Sequence, residues 1–139
     1  MNHSIRILAA ALVAALFATI AVETSAAADP PAERVVVMYF HRTQRCPTCQ
    51  KMGSYSEEAT NSVAREQPTG KVVFHDIDFQ DEKNAAYTKA YNITGPALVV
   101  VKAKGRSVLD WKNLKDIWMK VREKDDFFQY VQENIKSYL

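Results

Sequence analysis

The only two cysteines of this 139-residue chain, Cys46 and Cys49, flank Pro47-Thr48 in the stretch FHRTQRCPTCQK, residues 40–51. A disulfide at that spacing closes almost no loop, so it constrains the unfolded chain little and stability is a weak reason to keep it. Exchange chemistry is the better reason. A strand-like run ends shortly before the motif and a helical pattern begins at Pro47, which puts Cys46 at a helix N-terminus. Backbone N–H groups lack partners there and the dipole is positive, so a thiolate is favoured over a thiol. Pro47 suits the first helical position because its missing N–H would go unused. Arg42, Arg45 and Lys51 bring further positive charge, all of which favours the reactive form of Cys46. Cys49, one turn on, is expected to be more buried. Cys46 is therefore the expected attacking sulfur and Cys49 the sulfur that resolves a mixed disulfide, with His41 and Arg45 as modulating residues.

Other uses of the pair stay open. One is an inert structural disulfide. Another is a soft-ion site for copper or an arsenic species, which a vicinal dithiol binds well. Zinc wants four ligands, and the spacing supplies two; His41 and His75 are the remaining histidines downstream of residue 3. A strand histidine is more often structural, and no metal is expected.

The elements that must position the cysteines follow from periodicity. Residues 34–40 (RVVVMYF) are a continuous β-branched and aromatic run, suited to a strand buried on both faces. From Pro47, apolar residues recur at 52, 55, 59, 63 and 64, and Pro68-Thr69-Gly70 ends the helix. Residues 71–78 (KVVFHDID) form a second strand. Residues 81–91 make a helix with an apolar stripe of Ala85, Ala86, Tyr87, Ala90 and Tyr91. The turn at 93–96 leads into a strand over 97–101, and Lys104-Gly105 turns it into an edge strand over 106–111. From 114 to 139 the helical steps change phase near 123–126, which predicts one kinked helix or two consecutive ones. Trp111 and Trp118 are expected to be packing residues. Strands joined through helices run parallel, and the last two form a hairpin. The fold class is therefore α/β, a small mixed sheet with helices on both faces.

The N-terminus has the layout of a secretory signal peptide: Arg6, an apolar run from 7 to 22, then Ala26-Ala27-Ala28. Cleavage is expected after residue 28, with 29–33 a linker and 34–139 one domain large enough for its own core. The alternative is a retained anchor, since the run falls just short of the roughly 20 residues that span a bilayer. An exported chain, secreted or periplasmic, meets an oxidising environment in which two cysteines normally pair. With 18 Lys plus Arg against 16 Asp plus Glu, the net charge is +2, which gives no footprint for nucleic acid or an anionic membrane. The partner expected is a protein thiol or disulfide, met by a monomer that has no stable membrane insertion after cleavage and no cofactor besides its own redox-active disulfide.

The succession strand, Cys-Pro-Thr-Cys, helix, strand, helix, then Gly95-Pro96 ahead of an apolar strand resembles the thioredoxin-like superfamily over nearly the whole segment after residue 28. That resemblance implies a thioredoxin-like fold. It implies a cis-proline at Pro96 that faces the cysteines, aligns a bound peptide and keeps metal off the thiols, with Pro47, Thr48, Gly95 and Pro96 meeting the partner. More narrowly, Tyr39-Phe40-His41, Arg45 to Cys49, Trp118 and Tyr130-Val131 resemble the exported ArsF-type subunit family of nitrophenyl-compound nitroreductases. This implies as an alternative a binding subunit of a redox assembly with a structural disulfide. Two features depart from the superfamily pattern: Arg45 stands where a tryptophan is usual, and Met38 and Tyr39 occupy the region of the usual buried acid.

Overall fold

The structure, a computed structural model, describes residues 32–139. The expected signal peptide, 1–28, and most of the linker, 29–33, lie outside these residues. Four strands form one sheet: β1 Arg34–His41, β2 Val72–Asp78, β3 Ala97–Lys104 and β4 Ser107–Asn113, in the order β2-β1-β3-β4. β1 and β2 are parallel, while β1 with β3 and β3 with β4 are antiparallel. The sheet is mixed and carries helices on both faces, as the α/β pattern predicts. β1 sits in the middle, and from Val35 on every one of its residues is buried. That explains why its sequence shows no alternation.

Helix α1, Pro47–Arg65, packs Met52, Ala59 and Val63 on one face of the sheet. Beside it lies α4, Lys124–Lys136, which buries Phe127, Val131 and Ile135 in the same cluster with Val35, Val37, Tyr39, Leu98 and Val100. Tyr55 meets Phe127 edge-on at 5.7 Å. The phase change in the last segment is a break between α3, Ile117–Lys120, and α4, so the two-helix alternative holds.

The other face departs from expectation. The single helix expected over 81–91 is a 3-10 turn, Glu82–Asn84, followed by the six-residue α2, Ala85–Ala90. Of the expected apolar stripe only Tyr91 is buried, while Tyr87 is 50% exposed. Local polar bonds outcompete the longer helix. Asp81 caps the turn by accepting from the Lys83 N–H at 3.0 Å, and the Asn84 side chain donates to the Asp78 carbonyl at 2.9 Å. Such side-chain bonds to backbone stabilise turns at the expense of helix. Asn92, with φ 52°, then ends the segment in the left-handed region that asparagine tolerates. Tyr91 and Ile93 are thus what reaches the sheet from this segment, joining Val36, Met38, Phe40 and Val99.

Candidate active site

β1 delivers the chain to the motif through residues 42–45, and that connection is bolted to β2. Phe79 N–H donates to the His41 carbonyl at 2.9 Å, Thr43 N–H to the Gln80 side chain at 3.1 Å, and the Thr43 hydroxyl to Asp78 at 2.7 Å. The Thr43 hydroxyl, followed by the Gln80 N–H, holds the Asp78 carboxyl below the usual carboxylate range. Cys46 then stands as the N-cap of α1, with extended backbone, and Pro47 as its first residue. The Cys49 N–H donates to the Cys46 sulfur at 3.1 Å. The first turn of α1 carries no acidic side chain to oppose the dipole.

Cys46 is exposed and Cys49 is 7% exposed. The two are joined in a disulfide with a Cα separation of 5.0 Å, within the ordinary range for such bonds. This is the division expected of an attacking and a resolving sulfur: Cys46 lies at the surface and Cys49, within α1, is buried. Pro47 and Thr48 are both exposed beside Cys46.

The residues expected to modulate the sulfurs, His41 and Arg45, form a network. Arg45 donates from one guanidinium nitrogen to Asp76 at 2.6 Å and to His41 Nε2 at 2.7 Å, while His41 Nδ1 lies 2.8 Å from the Arg42 carbonyl. A guanidinium only donates and a carbonyl only accepts. The imidazole therefore carries its proton on Nδ1 and offers the Nε2 lone pair to Arg45. Asp76 also lies 3.5 Å from His41 Nε2. The positive charge expected to favour the Cys46 thiolate is accordingly shared with a carboxylate. Arg42 is engaged as well, over the Phe79 ring at 5.8 Å.

Tyr39 stands behind Cys49. It is wholly buried, and its hydroxyl donates to the Cys49 carbonyl at 2.7 Å. Burial is the main reason its hydroxyl is pushed up to about 12, with Arg45 opposing and Asp76 reinforcing. Its ring lies against Gly53, where a Cβ would come within 2.9 Å of Tyr39 Cε1. Glycine at 53 is what lets α1 approach β1 closely enough for the tyrosine to hold Cys49.

The implied cis-proline is not found. Among the described residues no peptide bond is cis, and Pro96 is trans, the isomer that X-Pro bonds favour by about 0.5–1 kcal/mol. The alignment of a peptide through a cis bond falls with it. Ala97 pairs with Phe40, so Gly95 and Pro96 still lie at the end of the sheet from which the cysteine connection leaves. There they line a cavity with Thr94, Asn113 and Trp118. Trp118, expected to pack, is 46% exposed; Trp111 is 37% exposed and meets Tyr91 edge-on at 5.3 Å. His75 does not join the cysteines. It pairs with Met38 on the sheet face opposite Tyr39, because strand side chains alternate. Among the described residues no three His, Cys, Asp or Glu side chains gather to hold a metal, and no helix is long and apolar enough to cross a membrane.

Sequence reasoning missed Asp76. Its signal was present: β2 reads apolar through Val72-Val73-Phe74 and then places acids at 76 and 78, at the end where a parallel strand must meet the cysteine connection.

No protein-family model and no curated protein matches the chain. Among solved structures, it is similar to the solution structure of a thioredoxin from Thermus thermophilus at 19% identity, over 65% of this chain and 72% of that one, with a TM-score of 0.40.

Proposed function

We propose that the protein is an exported thiol-disulfide oxidoreductase whose redox group is Cys46–Cys49. The observation that carries this reading is the pairing of an exposed N-cap sulfur with a buried one on a long helix. A thiolate of a partner protein attacks the Cys46 sulfur and forms a mixed disulfide. The electron pair of the broken bond leaves on Cys49, which takes up a proton. A second partner thiolate then attacks the partner's own sulfur of the mixed disulfide and releases Cys46 as a thiolate. The partner is oxidised by two electrons and the motif is reduced. Run in reverse, the same steps reduce a partner disulfide, with Cys46 attacking and Cys49 resolving. Pro47, Thr48, Gly95 and Pro96 supply the surface the partner meets. Export is supported by the apolar run at 7–22 and the small residues at 26–28, and sequencing of the mature N-terminus tests it, with Asp29 the expected first residue.

The deciding experiment is trapping. A Cys49→Ser variant should accumulate mixed disulfides through Cys46, and a Cys46→Ser variant should not. If neither variant traps a partner, and reduced Cys46 is alkylated no faster than Cys49, the oxidoreductase reading fails. A Cys46→Ser/Cys49→Ser variant that keeps partner binding and activity would instead identify a docking subunit, which the narrower ArsF-type resemblance implies.

A further inference from the structure

We infer that the sheet face opposite α1 binds an amphiphilic carboxylate, an acid with an alkyl chain. The short α2 leaves on this face a groove of about 470 Å³, within the roughly 300–1,000 Å³ of small-molecule sites. Strand alternation and register build its floor. Val36 and Met38 of β1, Val101 and Ala103 of β3, and Ile77 of β2 all present side chains to it. Tyr87 and Val108, each about half exposed, stand over the floor.

One end of this groove is cationic, and His75, Asp76 and Asn84 add polar groups elsewhere in its lining. Arg34 pairs with Ala103 and so falls on the same face as Val36, and Arg106 follows in the β3–β4 turn. Among the described residues, neither has a carboxylate partner. The Arg34 Nε is moreover buried without a hydrogen-bond acceptor, an unfavourable state that an acceptor would relieve. The carboxylate in the lining, Asp76, pairs with Tyr39, five residues along β1 from Arg34, and is held by Arg45, so two guanidiniums at one end of a floor of Val, Met and Ala side chains fit a carboxylate head and an alkyl tail. A peptide strand is a poor fit, because strand addition would take place beside the edge strands β2 or β4, outside the central floor, where β1 and β3 already have their backbone paired on both sides.

Calorimetric titration with decanoate below its micelle concentration, with decanol as the uncharged control, tests this. Decanoate should bind at one site and more tightly than decanol. An Arg34→Gln/Arg106→Gln variant should weaken decanoate at least about tenfold, one factor of ten being 1.4 kcal/mol, and leave decanol unchanged. Val108→Asp, a substitution at an exposed rim position, should weaken decanoate while leaving the unfolding midpoint in place. Equal binding of decanoate and decanol, or undiminished binding by the double arginine variant, would overturn the inference. So would association with anionic vesicles but not with monomeric decanoate, or sedimentation as a dimer that decanoate neither dissociates nor binds.

Discussion

One face of the sheet is closed by α1 and α4, and three polar side chains at its cysteine end are engaged: Tyr39 with Cys49, His41 with Arg42 and Arg45, Arg45 with Asp76. The other face is covered by a six-residue helix and the residues after it, and it keeps a groove and an arginine nitrogen without an acceptor. The same strands supply both faces, so strand composition does not make the difference. Helix length does: α1 has 19 residues and α4 has 13, and each buries a continuous stripe, whereas α2 buries none of its own residues and the segment reaches the sheet through Tyr91 and Ile93 after it. The proposed thiol exchange draws on the first kind of face, where a carbonyl, a helix end and a ring are held in place. The proposed capture of an amphiphilic carboxylate draws on the second.

The largest expected effect breaks the closed face outright. Phe127→Ala removes a wholly buried ring between α1 and α4 and should cost about 3–5 kcal/mol, read as the shift in a denaturant midpoint. Val108→Ala on the groove should stay within about 0.5 kcal/mol. Equal losses at the two sites would mean that the faces are alike.

Next comes Gly53→Ala. Alanine favours a helix over glycine by up to about 1 kcal/mol, but its Cβ would meet the Tyr39 ring at 2.9 Å, and that ring is tied down by its hydroxyl bond to Cys49. The clash should win, with a net loss of about 1–3 kcal/mol. A stabilised variant would show that α1 is free to lift from β1.

Tyr39→Phe keeps the ring and loses the bond to the Cys49 carbonyl, about 1 kcal/mol at neutral pH. It also changes the alkaline limb of stability. The Tyr39 hydroxyl is raised from its ordinary 10 to about 12, so its stabilisation is complete below about pH 10 and is lost as pH rises through about 12. The gap between native protein and variant should therefore narrow across that window. Tyr138, pushed up to about 12 by burial and then by its bond to Asp110, leaves part of the decline in both proteins. A gap that stays constant in denaturation curves from pH 9 to 12 would remove Tyr39 from the account.

The smallest effect on stability is expected from Asp76→Asn, which leaves Arg45 without its carboxylate, much as Arg34 stands on the other face. The pair is partly exposed, so the loss should stay below about 1 kcal/mol. The released charge should instead speed alkylation of reduced Cys46 at pH 7 by a factor of about 2 to 5, the rate equivalent of about 0.5–1 kcal/mol. An unchanged rate would mean that Asp76 orders the connection without tuning the sulfur.

The chain by itself determined the strands, the long helices and the placement of Cys46, because these depend on short-range periodicity and on one proline next to one cysteine. It also indicated the break between α3 and α4 through a change of phase. Tertiary structure decided the rest. The isomer at Pro96, the exposure of Tyr87 and Trp118, and the meeting of Asp76 with Arg45 over 31 intervening steps of sequence depend on which surfaces face each other. Residue periodicity states which side of an element is apolar. What covers that side is settled only when helix lengths and strand register bring distant residues within reach.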